Sequence, residues 1–251
     1  MTEGLLFGKT ALITGATSGV GKACALLFSA EGAFVVATGR RKDRLAELER
    51  EILSAEGRCA VLAGDIADLT LGDKLTELAQ KQTGRLDILV YSAGMALRTP
   101  TLEMKPEEWD EVFRVNVTAA MFLAQKSIPL MRRQGSGRMV FISSTASKNV
   151  NLGASPSYGA SKAAMDGVVR HLAAEFARDQ ILVNAICPGP LDTEITRTWT
   201  PEHREKVLSS LPLGRMGTPE QIARAALFLA SEQSDYISGE TILMNGGRYM
   251  G

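Results

Sequence analysis

Two side chains that can move a proton together lie four residues apart, Tyr158 and Lys162 in the run YGASK. On a helix this spacing puts both on one face, where a lysine ammonium can stabilise a tyrosinate. A free tyrosine, with a pKa of about 10, exchanges protons poorly at neutral pH. The pair therefore predicts an acid or base acting on a carbonyl or hydroxyl oxygen. Taken alone, the same pattern is more often a packed tyrosine and a solvated lysine.

A serine is the next candidate, because Ser144 ends the apolar run VFISS upstream of the tyrosine. Its hydroxyl can donate a second hydrogen bond to an oxygen that gains negative charge. Ligands of open parallel sheets bind at the carboxyl ends of the strands. We therefore expect Ser144 to work with Tyr158 and Lys162.

A glycine-rich loop, TGATSGVG, lies between a strand candidate and a helical pattern near the N-terminus. This context predicts a dinucleotide site with the pyrophosphate at the start of the helix. Gly15 would permit the tight turn, Gly19 the approach of the pyrophosphate, and Gly21 the close packing of the helix. The other residues that we assign to this loop site are Thr17, Ser18 and Val20.

The second strand candidate ends in VVATGRR, and its end bears on the choice of cofactor. An NAD-preferring site usually carries Asp or Glu there for the ribose 2′-hydroxyl, but this chain has Gly39. The site therefore has no carboxylate to repel a 2′-phosphate, and Arg40 and Arg41 could bind that phosphate. NADP(H) is therefore the expected cofactor and NAD(H) the weaker alternative. A plainer interpretation is that both arginines only solvate a loop.

Short β-rich runs alternate with longer helical patterns along the 251 residues. This alternation predicts an α/β fold: a doubly wound, Rossmann-type sheet of seven predominantly parallel strands with helices on both faces. The strand candidates are Thr10–Thr14, Phe34–Thr38, Cys59–Ala63, Ile88–Ser92, Arg138–Ile142, Leu182–Ile186 and Thr241–Met244. The helix candidates are Val20–Glu31, Asp43–Ala55, Leu71–Gln82, Pro106–Met131, Ser157–Asp179 and Pro219–Ala230. The proline-rich stretch 188–218 is predicted to be an irregular, mobile insertion over the substrate pocket.

The charge balance and the residue composition of the chain exclude several classes of protein. The 28 basic and 28 acidic residues balance, which leaves no electrostatic footprint for nucleic acid or an anionic membrane. Three cysteines without CxxC spacing and two histidines indicate neither a disulfide framework nor a metal site. No signal peptide and no apolar run of about 20 residues is found. We expect a single domain, residues 1–251, that works in the cytoplasm.

In this order and spacing, the glycine loop and YxxxK resemble the short-chain dehydrogenase/reductase family over essentially the whole chain, including its members that act as 3-oxoacyl-(acyl carrier protein) reductases. The resemblance implies that Tyr158 donates the proton, that Lys162 activates it and binds the nicotinamide ribose, that Ser144 binds substrate and that Asn116 supports a water relay. It also implies a homotetramer. Further cofactor contacts implied by the resemblance come from Asp65, Ile66, Ala93, Gly94, Pro188, Gly189 and Thr193.

The chain departs from the family pattern at two positions. The family's Asn-Asn-Ala-Gly is Tyr91-Ser-Ala-Gly94 here, and the usual Asp before the C-terminal glycine pair is Asn245. Neither departure removes a catalytic group. The first asparagine normally braces the central sheet, so Tyr91 must pack in another way.

These features predict an NADP(H)-dependent oxidoreductase that interconverts a ketone and a secondary alcohol, with small molecules as its partners. The substrate stays open, and a 3-oxoacyl thioester is among the candidates. One alternative is a nucleotide-binding sensor or scaffold without activity, against which the intact Ser144, Tyr158 and Lys162 argue. The other is a sugar-nucleotide epimerase or dehydratase, which usually has another glycine spacing and a longer C-terminal region.

Overall fold

The structure is a computed structural model that describes residues 3–194 and 196–251. Within these residues, seven strands form one parallel sheet in the order β3-β2-β1-β4-β5-β6-β7. The strands are β1 Thr10–Ile13, β2 Phe34–Gly39, β3 Arg58–Ala63, β4 Ile88–Tyr91, β5 Gly137–Ile142, β6 Ile181–Pro188 and β7 Thr241–Met244. All seven strand candidates are confirmed, with small shifts at their ends.

Eight α-helices connect or follow these strands in the part of the chain that the structure describes. They are α1 Gly19–Ala30, α2 Lys42–Ser54, α3 Thr70–Thr83, α4 Pro106–Phe113, α5 Ala119–Gln134, α6 Pro156–Phe176, α7 Pro201–Ser209 and α8 Pro219–Ala230. One hydrophobic cluster packs α1, α2 and α8 on one face of the sheet, and a second packs α3, α5 and α6 on the other. The predicted doubly wound α/β fold is confirmed. No described helix is both long and apolar enough to cross a bilayer.

The order of the sheet reverses between β1 and β4, which pair directly. The chain leaves β1 toward β2 and β3 and then returns to β4, so a crevice opens between their carboxyl ends. Thr14 holds this crevice at a fixed width, because its Oγ1 accepts hydrogen bonds from the backbone N–H groups of Ser92 and Ala93 at 3.1 and 3.0 Å. The glycine loop and the segment after β4 therefore meet at one edge.

The predicted helix 106–131 is confirmed as one helical stretch, which runs on to Gln134 and contains a π turn that the sequence does not predict. Helix α4 ends at Phe113, residues Arg114–Thr118 form a π-helical turn, and α5 follows. A π turn holds one more residue than an α turn, and such turns are frequent at functional sites. Here the extra residue lets the Asn116 side chain reach inward to the loop after β4.

Segment 188–218 is not irregular throughout, because it contains α7. The helix begins with Pro201 at its first position, after Thr200, whose hydroxyl accepts a hydrogen bond from the backbone N–H of His203 at 3.2 Å. The same Thr-Pro signal correctly predicts α8, where Thr218 forms a capping box with Gln221. The sequence therefore held the signal for α7 as well.

The two limbs of this segment meet at its base. Leu191 and Gly217 form a parallel bridge. The backbone N–H of Asp192 donates to the Gly217 carbonyl at 2.8 Å, and that of Gly217 donates to the Pro190 carbonyl at 3.0 Å. The described residues between these limbs thus leave and rejoin the body of the protein at this bridge, and the Leu213 N–H also donates to the Gly246 carbonyl at 3.2 Å.

Candidate active site

Helix α6 positions the tyrosine and the lysine. It begins with Pro156 at its first position, so Tyr158 lies in the first turn and Lys162 one turn later. The Lys162 Nζ lies 6.0 Å from the centroid of the Tyr158 ring. The two side chains share one face of the helix, as their spacing predicts.

The Lys162 ammonium is buried, with 4 % of the residue exposed. Its Nζ donates a hydrogen bond of 2.7 Å to the carbonyl of Ile142, the last residue of β5. Burial lowers the lysine pKa to about 8, although Cys187 and Asp166 oppose this effect. Lys162 can therefore change its charge close to physiological pH.

The Tyr158 phenol is held in its protonated form. Burial raises its pKa, the Ser144 hydroxyl hydrogen-bonds to it and partly offsets that rise, and Cys187 adds to it. The pattern YxxxK predicts that the neighbouring ammonium lowers this pKa, but burial of the phenol raises it instead. At neutral pH the group is thus a proton donor.

The two serines at the end of β5 face different surroundings. The Ser143 hydroxyl points into the interior, where it donates to Asp166 Oδ1 at 2.7 Å. The Ser144 hydroxyl faces Tyr158, and its oxygen also accepts a hydrogen bond from the backbone N–H of Ala146 at 3.1 Å. Ser144 is thus the serine that the structure brings to the tyrosine.

The π turn places Asn116 beside the lysine. Its Nδ2 donates to the Met95 carbonyl and to Ser161 Oγ, both at 2.9 Å, and its Oδ1 accepts from the Met95 N–H at 2.8 Å. A Cβ on Gly94 would lie 3.6 Å from both Asn116 Oδ1 and Lys162 Nζ. Gly94 therefore keeps space open next to the lysine.

The glycine loop fits a dinucleotide pyrophosphate. Gly15 has a φ of +66°, and a Cβ there would lie 2.9 Å from the Ala93 nitrogen, so a larger residue would push the two loops apart. A Cβ on Gly21 would lie 2.3 Å from the Gly15 carbonyl oxygen. At Gly19, which begins α1, no described atom lies within 4 Å of such a Cβ. This open helix N-terminus suits an anion.

The arginines after β2 differ in their contacts. The Arg41 guanidinium donates to the Thr17 carbonyl at 3.2 Å and to Ser18 Oγ at 2.8 Å, so it braces the glycine loop. Arg40 is exposed, and no hydrogen bond or ion pair joins its side chain to the described residues. A Cβ on Gly39 would lie 2.6 Å from Thr17 Cγ2, which leaves no room for a carboxylate side chain without moving Thr17.

The remaining predicted cofactor residues lie in segments that follow strands. Asp65, after β3, accepts a hydrogen bond from the Ala67 N–H at 3.0 Å, and Ile66 packs on a core cluster. Pro188 ends β6, and the Gly189 N–H donates to the Met244 carbonyl at 3.0 Å. Thr193 lies in the turn that follows, and its N–H donates to Thr196 Oγ1 at 2.9 Å.

Tyr91 supports the site in a way that the sequence did not reveal. The residue is fully buried, and its hydroxyl donates a hydrogen bond of 2.5 Å to the Val115 carbonyl in the π turn. Its ring stacks on Phe141 at a centroid distance of 6.2 Å. Tyr91 thereby ties β4 to the residue before Asn116.

The second departure from the family pattern is satisfied locally. The Asn245 Nδ2 donates to the Tyr249 carbonyl at 2.8 Å, and its Oδ1 accepts from the Gly247 N–H at 2.9 Å. Asn245 therefore shapes the turn after β7. It makes these bonds as a neutral amide, which can donate and accept at once.

Known proteins resemble this chain over nearly its whole length. A family model described as enoyl-(acyl carrier protein) reductase matches residues 15–248. The 3-oxoacyl-(acyl carrier protein) reductase of Thermotoga maritima is 40 % identical over 245 residues, which cover 96 % of this chain and 98 % of the relative. Two solved structures are also similar to this chain.

The first is a putative gluconate dehydrogenase from Agrobacterium tumefaciens. It has a TM-score of 0.93 at 29 % identity, with 97 % of this chain and 96 % of that chain covered. A putative short-chain alcohol dehydrogenase from Sinorhizobium meliloti has a TM-score of 0.92 at 34 % identity, with 97 % of both chains covered.

The chain belongs to the short-chain dehydrogenase/reductase family. It is an oxidoreductase that acts on CH–OH and C=O groups with a nicotinamide dinucleotide, and the predicted enzyme class is confirmed. The family match covers the glycine loop, the π turn and α6 together.

The tie between Tyr91 and the π turn gives a first prediction. Tyr91→Phe keeps the ring but leaves the Val115 carbonyl without this donor, so the free energy of unfolding should fall by about 1–2 kcal/mol. Turnover should fall as well, because Asn116 loses its support. Urea unfolding and kcat measure the two effects, with the fully exposed Tyr236→Phe as the matched control.

A double-mutant cycle separates support of Asn116 from a general loss of stability. If Tyr91 acts through Asn116, Tyr91→Phe should lower kcat little further in an Asn116→Ala background. Additive losses would contradict the proposed coupling between the two residues.

Proposed function

We propose that this protein reduces 3-oxoacyl thioesters to 3-hydroxyacyl thioesters with NADPH. The observation that carries the proposal is the meeting of Ser144, Tyr158 and Lys162 beside the crevice between β1 and β4. The name of the Thermotoga maritima relative supports the substrate class, since that protein is a 3-oxoacyl-(acyl carrier protein) reductase.

The proposed roles follow from the hydrogen bonds and charges of the site. When bound, NADPH supplies a hydride to the carbonyl carbon of the substrate. Tyr158 gives its phenolic proton to the carbonyl oxygen, and Ser144 donates a hydrogen bond to the same oxygen. Lys162 stabilises the tyrosinate that this leaves, and Asn116 orients the loop after β4 beside the lysine.

We assign the proposed cofactor residues to three parts of the dinucleotide. The pyrophosphate would be held at the start of α1 by Gly15, Thr17, Ser18, Gly19, Val20 and Gly21. The adenine would be flanked by Asp65, Ile66, Ala93 and Gly94. The nicotinamide would be flanked by Pro188, Gly189 and Thr193.

Substrate turnover tests the proposal directly. NADPH oxidation should occur with a 3-oxoacyl thioester and fall by at least about 10²-fold in Tyr158→Phe, because the general acid is lost. Ser144→Ala should lower kcat more than Ser143→Ala, since only the Ser144 hydroxyl faces the tyrosine. NADPH binding, measured by fluorescence, should persist in Tyr158→Phe and so show that the variant is folded.

Two outcomes would contradict this assignment. Normal turnover by Tyr158→Phe would remove the proposed acid. Tight NADPH binding by the parent without turnover of any ketone, aldehyde or thioester would favour a nucleotide sensor instead.

A second candidate is reduction of a carbon–carbon double bond, which the description of the matching family model favours. The same assay with a 2-enoyl thioester distinguishes it, because the product is then a saturated thioester. The pairing of Ser144 with Tyr158 supports the ketone reductase, since two donors suit a carbonyl oxygen.

The preference for NADP(H) rests on the two arginines after β2. Arg40 has no described partner and is free to bind a 2′-phosphate, whereas Arg41 already braces Thr17 and Ser18. Arg40→Ala should raise KM for NADPH about tenfold and leave KM for NADH nearly unchanged, because a charge-assisted bond is lost. Arg41→Ala should raise both KM values. A parent enzyme that prefers NADH would contradict the assignment.

Segment 188–218 is proposed to form the substrate wall of one domain that spans residues 1–251. Its side chains include a small apolar cluster of Val207, Leu211 and Met216, against which Trp199 packs. These buried contacts hold the segment together beside the end of β6. The shared sheet supports the single domain.

A cytoplasmic homotetramer is also proposed, from the family and from the surface of α4 and α5. Trp109 stacks on Phe113 at a centroid distance of 5.0 Å, yet Trp109 and Phe122 stay more than a third exposed. Exposed aromatic side chains of this kind are typical of interfaces. Sedimentation velocity should give four times the 26.9 kDa chain mass, and Phe122→Glu should shift the protein to smaller species. A stable monomeric parent would refute the tetramer.

A further inference from the structure

A buried carboxylate lies one helical turn beyond the proposed catalytic lysine. Asp166 follows Lys162 by four residues on α6, so both side chains lie on one face of the helix. Only 2 % of Asp166 is exposed. A carboxylate is rarely buried without a partner, and here Ser143 donates a hydrogen bond of 2.7 Å to Oδ1.

A second cation reaches the same carboxylate from the surface. The Lys148 Nζ lies 3.2 Å from Asp166 Oδ2, and 30 % of the Lys148 side chain is exposed. Lys148 follows the short turn after Ser144, on a different element from α6. Asp166 therefore pairs with a lysine that borders solvent and shares one face of α6 with the buried Lys162.

We propose that Asp166 is a positioning residue that keeps Lys162 protonated, and that Lys148 limits how strongly it does so. The inference rests on the proposed role of Lys162 in the reaction. Among the described residues, Asp166 makes no hydrogen bond to Tyr158 or Ser144. It therefore acts through Lys162 and Ser143.

The charges around Lys162 support this role. The groups that face it are Tyr158 and Asp166 on α6 and Cys187 on β6. Burial raises the pKa of the Cys187 thiol above its ordinary value of about 9, so this cysteine is neutral at pH 7. Burial likewise keeps Tyr158 neutral. Among the described groups that face Lys162, Asp166 is thus the one carboxylate.

The hydrogen bonds give Asp166 a second effect. By accepting the Ser143 proton, Asp166 directs that hydroxyl inward, where its oxygen also lies 3.4 Å from the Lys162 carbonyl oxygen. This leaves Ser144 as the hydroxyl that faces Tyr158. One buried carboxylate therefore orders the serine pair and holds charge on the lysine.

Two neutralising substitutions should move the titration of Lys162 in opposite directions. Asp166→Asn keeps the shape and an acceptor for Ser143 but removes the negative charge, so the ammonium should lose its proton about one pH unit lower than in the parent. Lys148→Met removes the competing cation, so the ammonium should lose its proton at a higher pH. A residue with only a structural role would not produce shifts of opposite sign.

The titration can be followed without turnover. In protein labelled with 13C at the lysine Cε, the Lys162 signal is assigned by its loss in Lys162→Ala, and its chemical shift is followed with pH in the protein without cofactor. The pH profile of NADPH-dependent reduction should move in the same directions, because Lys162 must be charged to stabilise the tyrosinate. Lys148→Met changes a partly exposed side chain, so it tests the proposal even if Asp166→Asn fails to fold.

Shifts in the same direction, or no shift in either variant, would overturn the role of Asp166. Opposite shifts of the Lys162 signal in a protein that reduces no substrate would support the electrostatic role and count against the proposed reaction alone. The two failures are thus distinguishable.

Discussion

The Lys162 ammonium lies between β5 and α6 with almost no contact with solvent. The surrounding groups compensate for its lost hydration. An ammonium removed from water is costly unless hydrogen bonds and charge replace its hydration. The Ile142 carbonyl is available for this because β5 ends there. Asp166 supplies charge from one turn further along α6. One buried side chain thus uses both the end of a strand and the register of a helix.

The crevice between β1 and β4 carries the other half of the site. Glycine at position 15 lets the loop after β1 approach Ala93, and Thr14 binds the backbone of the same segment. The loop after β4 then continues to Asn116 through the Met95 hydrogen bonds. A path of hydrogen bonds through the Thr14 and Asn116 side chains thus joins the glycine loop to Ser161, the residue before Lys162.

Much of this architecture is readable in the sequence, and the exceptions have physical reasons. Strands covered on both faces are apolar throughout, so all seven stand out, and the glycine loop and YxxxK carry their own spacing. The π turn 114–118 leaves no mark on hydrophobic periodicity. The roles of Tyr91 and Asp166 depend on contacts between residues far apart in the chain. Helix α7 was detectable, because Thr200-Pro201 repeats the start signal of α8.

The bridge at the base of segment 188–218 separates the described residues of that segment from the seven-stranded sheet. Since Leu191 and Gly217 pair there, the chain between them contributes no strand to the sheet. Changes among the described residues between these limbs can leave the register of β6 as it is. The described residues of this segment can therefore differ in length or sequence while the strands and α6 keep their places.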